Sequence, residues 1–199
     1  MLKRLLLPCL VALLGSANAS AQLVVNGTMT AQQLVQNVLL GGGVTAFNVR
    51  YNGVLNPPLP QVGSGSFTAN GTNLGLASGV LLSTGDIDNA VGPSSNFSGD
   101  MNGTGSDPDL VNISGGTIND RAVLEFDFIP TGDTLRFRYV FASEEYPNFV
   151  CSYNDAFGFF LSGPGITGPF TGSAANIALI PNSTTPVTIN TVNNGYNND

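Results

Sequence analysis

The chain has 199 residues, no histidine, 13 acidic against 6 basic residues, and a formal net charge of −7. Without histidine, Ser-His-Asp triads, Cys-His pairs and histidine-ligated zinc or iron sites are excluded within this chain. The shortage of Lys and Arg also argues against nucleic acid and anionic membranes as partners, because basic side chains bind both. A hydrophobic content of 42% with twelve Phe predicts a packed core and not a disordered chain.

The first 21 residues predict a secretory signal peptide. Lys3 and Arg4 precede an apolar run over residues 5–14, and small residues that fit an A-x-A cleavage site follow. The run is shorter than the roughly 18 apolar residues of a membrane span, and no later segment qualifies as a span. Cleavage would lower the net charge to about −9 and leave residues 22–199 as a single exported domain.

A short amphipathic helix is predicted over residues 31–40. Thr30 and Gln33 have the spacing of a capping box, apolar residues recur on one helical face, and three glycines stop the pattern. Beyond the helix, short apolar or alternating stretches are bounded by Gly, Pro, Asn and Ser, which is typical of antiparallel β-sandwiches and barrels. The predicted strands are residues 44–52, 65–69, 79–84, 121–129, 134–142, 156–162, 175–180 and 186–192.

These elements predict a mainly β fold, an antiparallel β-sandwich of jelly-roll or lectin-like type with one short N-terminal α-helix. A long polar stretch, residues 86–120, interrupts the strands and is too rich in turn formers to predict regular structure. Loops longer than about 15 residues are uncommon unless they are functional or disordered. This stretch is therefore a candidate binding loop, with an ordinary flexible insertion as the alternative.

The two strands on either side of residues 130–133 predict a β-hairpin. Their alternation fixes a register, because a slip of one residue would bury the charged side chains. Exposed cross-strand ion pairs are common and weak, so a structural role is favoured for these charges. The predicted pairs are Asp127 with Arg136 and Glu125 with Arg138.

The remaining acidic residues cluster with amides in polar loops. Calcium takes about six to eight oxygen ligands, which such loops supply without His or Cys, although the spacing is not that of an EF-hand. Solvated loop acids are the alternative interpretation. The candidate calcium ligands are Glu144, Glu145, Asn154, Asp155, Asp107, Asp109 and Asp120.

Two carboxylates could also hydrolyse a glycosidic bond. Glu144 and Glu145 are neighbours and would point to opposite faces of an extended chain, so one of them would need a remote acid such as Asp155 or Asp109. No feature of the sequence selects such a pair, and the chain has no Trp to form a sugar-binding platform. A hydrolase is therefore the weaker alternative.

Cys151 is the one cysteine that remains after cleavage of the signal peptide. A nucleophilic cysteine needs a base, and no histidine can supply one. In an exported protein, a single cysteine predicts a disulfide with a partner outside this chain.

Several motifs occur in the order in which they occur in one known family: "TAQQLVQNVLLGGGVTAFNV", "SGVLLSTGD", "GSDPDL", "NDRAVLEFDFIPTGDTLRFRYVFASEEYPNFVCSYNDAFGFFLSGPGI" and "NIALIPNSTTPVTINTVNNG". From about Thr30 to its end, the chain resembles the choice-of-anchor L domain of secreted bacterial proteins, especially those of Bacteroidetes. The resemblance implies an exported domain joined to differing surface-attachment signals. It also implies further strands and cysteines beyond Asp199, so that the C-terminus is truncated and the anchoring signal lies in the missing part.

Together these patterns predict a secreted or cell-surface, non-catalytic binding or adhesion module, attached to the surface in the full-length protein. The expected partner is a glycan or a protein at a cell surface, and calcium is the candidate cofactor. The alternatives are a carbohydrate-active hydrolase that uses loop carboxylates and a structural module of a surface layer or matrix.

Overall fold

A computed structural model describes residues 22–40, 44–93 and 101–193, so the predicted signal peptide lies outside the described residues. The strands are β1 (Val24–Asn26), β2 (Thr45–Tyr51), β3 (Val54–Leu55), β4 (Ser64–Thr68), β5 (Ser78–Leu82), β6 (Leu124–Ile129), β7 (Ala156–Phe157), β8 (Phe160–Leu161), β9 (Ala175–Asn176) and β10 (Val187–Thr188). The helices are α1 (Ala31–Gln33), which continues as a π-helical segment (Leu34–Leu39), and α2 (Pro108–Ser114), with 3-10 turns at Ile87–Val91 and Thr171–Ser173.

All pairs between these strands are antiparallel. The predicted fold class, mainly antiparallel β with few short helices, is confirmed. Two sheets have three strands each, in the orders β1-β4-β5 and β3-β2-β6, and two have two strands each, β10-β7 and β8-β9. In the described ranges no helix is both long and apolar enough to cross a membrane.

The predicted N-terminal helix is confirmed, and it supplies part of the core. The Thr30 hydroxyl accepts from the Gln33 amide at 3.2 Å, and the Gln33 side chain accepts from the Thr30 amide at 2.9 Å, so both halves of the capping box are present. The helix and its π-helical continuation contact β2 in one sheet and β5 in the other. The buried cluster that results comprises Ala31, Val35, Ala46, Val49 and Tyr51.

β2 and β6 form the central pair of the second sheet. Their register sets Thr45 opposite Ile129 and Tyr51 opposite Leu124, with an irregularity between Phe47 and Arg50. Asn48 occupies this bulge with a φ of 52°, in the left-handed region that Asn tolerates better than most residues. Its side-chain amide donates to the Asp127 carboxylate at 2.6 Å, which joins the bulge to β6.

The predicted hairpin between residues 121–129 and 134–142 is wrong. β6 pairs with β2, so that Glu125 lies opposite Arg50, and residues 134–142 form no strand ladder in the described part of the chain. The pairs Asp127 with Arg136 and Glu125 with Arg138 were inferred from the register of this hairpin, which the described residues do not form. The Arg138 guanidinium donates instead to the Gly75 carbonyl at 2.6 Å.

Aromatic packing explains why residues 134–142 lie elsewhere. The Phe137 ring stacks on Phe159 with 4.1 Å between centroids, and Tyr139 packs on Phe157 at 5.0 Å. Such pairs contribute roughly 0.5–1.5 kcal/mol beyond the burial of their area. The segment is therefore held to residues 157–159, and its alternation serves side-chain packing without a backbone ladder.

The last three predicted strands are confirmed in position but are shorter than predicted. β7 and β8 divide residues 156–162, and β9 and β10 occupy two residues each of the other two. Val187 lies opposite Phe157, and Phe160 lies opposite Asn176. With so few backbone ladder bonds, this part of the chain depends on contacts made by side chains.

Candidate functional site

The loop at residues 86–120 contains more structure than the sequence predicts. A 3-10 turn and α2 lie within it. The Asp107 carboxylate caps α2 by accepting from the amides of Asp109 at 2.9 Å and Leu110 at 3.0 Å, and Pro108 occupies the first turn. The prediction of no regular structure is wrong here, because Asp and Pro are common in turns but also begin helices, as Asp107 and Pro108 do in α2.

Asp109 and Asp120 hold other loops in place. The Asp109 carboxylate accepts from the Thr171 amide at 3.0 Å and from the Thr171 hydroxyl at 3.1 Å. The Asp120 carboxylate accepts from the Gly103 amide at 2.5 Å. Charge-assisted bonds to backbone amides are among the stronger hydrogen bonds in proteins. Two of the candidate calcium ligands thus tie distant parts of the chain together.

Residues 143–155, which we name the acidic corner, are fixed at their C-terminal end by Asn154. The Asn154 side-chain oxygen accepts from the Asn190 amide at 3.1 Å, and its NH2 group donates to the Ser114 carbonyl at 2.8 Å. Ser114 is the last residue of α2, so this one side chain satisfies an unpaired helical carbonyl and joins the acidic corner to two other segments.

The segment around Asn190 completes this attachment. The Asn190 side-chain oxygen accepts from the Cys151 amide at 2.8 Å, and the Ile189 amide donates to the Asp155 carbonyl at 3.0 Å. The Tyr146 hydroxyl donates to the carbonyl of Val192 in the same segment. Asn190 is not among the residues predicted from the sequence, because an Asn-rich turn after a strand carries no signal that identifies its partner.

Cys151 is exposed and adopts a φ of 70°, in the left-handed region. The only other cysteine of the chain, Cys9, lies outside the described residues. A disulfide between Cys151 and a partner outside this chain stays a prediction.

The carboxylates of the acidic corner repel one another. Burial, and secondly the charge of Asp120, raise the pKa of Asp155 above its usual value. Burial, then the charges of Asp155 and Glu144, raise the pKa of Glu145. The pKa of the Tyr146 phenol is raised by burial and by Asp155. Asp155 thus interacts electrostatically both with residues of the acidic corner and with Asp120 outside it.

The seven candidate calcium ligands are not all brought together. Asp155 lies within electrostatic reach of Asp120 and of Glu145, and Glu145 also lies within reach of Glu144, whereas Asp107 and Asp109 act at α2. In the described ranges, no group of three or more His, Cys, Asp or Glu side chains is arranged to hold a metal ion. Any calcium ion there would depend on amide and backbone oxygens in addition to carboxylates.

The family model described as the Choice-of-anchor L domain matches residues 23–199. This range is well over half of the chain, and it confirms the resemblance that the sequence motifs indicated. No curated protein matches the chain, and no solved structure does.

Proposed function

Because the chain belongs to the choice-of-anchor L domain family, we propose that it is a non-catalytic binding module of a secreted or cell-surface protein. Its ligand would be a glycan or a protein at a cell surface. The predicted signal peptide at residues 1–21 supports export. The excess of acidic over basic residues disfavours nucleic acid as the ligand.

The structural use of the loop carboxylates is the observation that carries this proposal. Asp107, Asp109 and Asp120 each accept hydrogen bonds from backbone amides of loops or of a helix N-terminus. A hydrolytic pair would need two carboxylates facing a substrate across several ångströms. The observed bonds use these acids to fix loop shape, which is what a surface with a defined binding geometry requires.

The proposed binding surface is the face at which these loops meet. Asn154 links α2 to the acidic corner, and Asp109 links α2 to Thr171. A surface made of loops held by mutual hydrogen bonds is preorganised, so that less ordering entropy opposes binding. Loops on a rigid scaffold are also where binding residues concentrate in proteins generally.

Calcium is the second element of the proposal, and the repulsion within the acidic corner supports it. The pKa values of Glu145 and Asp155 are raised first by burial and then by neighbouring carboxylates. A divalent cation would offset this repulsion and strengthen the attachment of the corner. The bound ion would act by mass action, stabilising the folded state by RT ln(1 + c/Kd), where c is the concentration of free calcium.

Binding to a glycan array, measured with calcium and again with EDTA, tests the proposal. We expect a restricted set of glycans to bind, and binding to fall at least about tenfold in Asn154→Ala, because the loops lose their mutual attachment. Asn148→Ala is the matched control, since Asn148 is an exposed amide of the same corner. Equal binding with calcium and EDTA would reject calcium while leaving the binding module in place.

The two alternatives give different results in the same preparation. A hydrolase would turn over a polysaccharide, and Glu144→Gln or Asp155→Asn would abolish turnover without unfolding the chain. A matrix module would bind no soluble glycan and would assemble without a limit on size. Turnover, or open-ended assembly without any ligand on glycan and protein arrays, would overturn the proposed function.

A further inference from the structure

The tripeptide Asn-Gly-Thr occurs three times in the described part of the chain, at residues 26–28, 70–72 and 102–104. In an Asn-Gly step, the backbone nitrogen of Gly can attack the side-chain carbonyl carbon of Asn, because Gly has no side chain that shields its nitrogen. The three copies have the same local chemistry. Any difference in their reactivity in the folded chain therefore comes from the structure around them.

The first copy is held by its own Thr. The Asn26 side-chain oxygen accepts from the Thr28 amide at 2.9 Å and from the Thr28 hydroxyl at 2.7 Å. A further Asn-Gly step begins at Asn52, whose side-chain oxygen accepts from the Val123 amide at 2.9 Å. Rotation of either side chain towards the following nitrogen would break these hydrogen bonds.

The third copy is held on both sides of the bond that would form. The Asn102 NH2 group donates to the carbonyls of Ser83 and Gly85, each at 3.1 Å. The Gly103 amide donates to the Asp120 carboxylate at 2.5 Å. The nucleophile and the group that it would attack are thus both engaged.

The second copy lies in the connection between β4 and β5. The Thr72 amide donates to the Ala69 carbonyl at 2.9 Å, which closes a turn with Asn70 and Gly71 at its centre. Their φ values of 44° and 80° are those of the primed turns that Asn-Gly favours. Both central residues are exposed.

This turn engages neither of the groups that would react. In the described ranges, no hydrogen bond involves the Asn70 side chain or the Gly71 amide. The Thr72 hydroxyl oxygen, which corresponds to the one that binds the side chain of Asn26, has no hydrogen-bond partner. A Cβ added at Gly71 would meet nothing within 4 Å, so the surroundings of the turn are open.

We propose that Asn70 is a site of spontaneous deamidation, through a succinimide formed with Gly71. The Gly71 nitrogen bonds to the side-chain carbonyl carbon of Asn70, and the NH2 group leaves with the proton of that nitrogen as ammonia. Water then adds to one carbonyl of the ring and opens it, which gives Asp or isoaspartate according to the bond that breaks. Water is the only co-reactant, and no group is oxidised or reduced.

Either product changes this connection. Asp adds a negative charge to a chain that already has 13 acidic and 6 basic residues. Isoaspartate places an additional methylene in the backbone of the turn. The Arg138 guanidinium donates to the Gly75 carbonyl of the same connection at 2.6 Å. The modification therefore affects a connection that attaches residues 134–142 to the sheet of β4 and β5.

Peptide mapping by mass spectrometry tests the proposal. The folded chain is incubated in mildly alkaline heavy-oxygen water, which labels each carboxyl group that forms. Asn70 is expected to convert at least about tenfold faster than Asn26 or Asn102, because attack at those two positions first requires hydrogen bonds to break. Asn70→Asp provides the chromatographic reference for one of the two products.

The chain unfolded in guanidinium chloride is the matched control. The three identical tripeptides should then convert at similar rates, because the contacts that distinguish them are lost. Equal rates at the three sites of the folded chain, or faster conversion of Asn26 or Asn102, would overturn the proposal. A lead for Asn70 that persists unchanged in the unfolded chain would overturn it as well, since the flanking sequence would then set the rate.

Discussion

The described part of the chain is stabilised differently on either side of Pro130. The N-terminal region, residues 22–129, contains strands of five to seven residues in β2, β4, β5 and β6, together with the fully buried side chains of Leu34, Val35 and Val49. The C-terminal region, residues 130–193, contains only two-residue strands among its described residues. Both regions bury side chains, but long backbone ladders hold the first region together, and specific side-chain contacts take their place in the second.

The aromatic and amide residues show the same contrast. Ring pairs such as Phe160 with Phe170, 4.8 Å between centroids, belong to the C-terminal region, whereas the N-terminal region has the pair of Phe126 and Phe128 at 6.0 Å. In the C-terminal region, where backbone ladders are short, the Asn154 side chain forms hydrogen bonds to both Ser114 and Asn190. Segments held by few backbone ladder hydrogen bonds are expected to open locally at lower free energy than the long strands. The comparison therefore predicts two distinct responses to mutation.

The largest effect is expected for Leu34→Ala. Leu34 is fully buried in the helical segment that contacts both sheets, so truncation removes apolar contacts and leaves a cavity, at a cost of roughly 2–5 kcal/mol in the free energy of unfolding. Leu39→Ala is the matched control, because Leu39 is 39% exposed at the end of the same helical segment. Urea unfolding measures both. Equal losses for the two variants would show that the helix does not form the core of the N-terminal region.

A smaller and more local effect is expected for Asn154→Ala. The change leaves the Asn190 amide and the Ser114 carbonyl without their partner, at a cost of about 1–3 kcal/mol. Hydrogen exchange should accelerate at residues 186–192 while β2 and β6 keep their protection. Asn148→Ala, at an exposed position, should change neither. A uniform loss of protection across the chain would show that the two regions unfold as one unit.

The sequence predicted those structural features that depend on residues close together in the chain. Thr30 and Gln33 stand three positions apart, and the structure forms the capping box that this spacing indicates. The π-helical continuation was not predictable, because a short apolar pattern does not distinguish one helical period from another. The hairpin at residues 130–133 failed because alternation fixes the face of a strand but not its partner, and β6 pairs with a strand about eighty residues earlier.

The candidate site shows the same limit. Clusters of Asp, Glu and Asn predicted where polar loops meet, and Asn154 and Asp155 do lie at such a junction. The sequence could not distinguish a carboxylate that caps a helix, such as Asp107, from one that faces other carboxylates, such as Asp155. That difference depends on contacts between segments tens of residues apart, of which Asn190 with Cys151 is one.

The smallest expected effect concerns charge in the C-terminal region. Burial and Asp120 raise the pKa of Asp155, so the folded state disfavours the ionised carboxylate. Above the usual Asp pKa of 3.8, the folded state therefore binds more protons than the unfolded chain. The free energy of unfolding falls as the pH rises from that value. Asp155→Asn removes this penalty. At pH 7 in EDTA, Asp155→Asn should melt at a higher temperature than the unaltered chain. Its gain in the free energy of unfolding should be smaller than the losses predicted for Leu34→Ala and Asn154→Ala.

The pH dependence distinguishes this penalty from a simple packing change. As the pH falls below the usual Asp value of 3.8, Asp155 is neutral in both states and the advantage of Asp155→Asn should vanish. Asp133→Asn, at an exposed loop position, should give no such trend. Calcium would reverse the order at pH 7, because the ion favours the ionised carboxylate over the amide. A lower melting temperature for Asp155→Asn in EDTA would instead show that the ionised carboxylate stabilises the acidic corner without any metal.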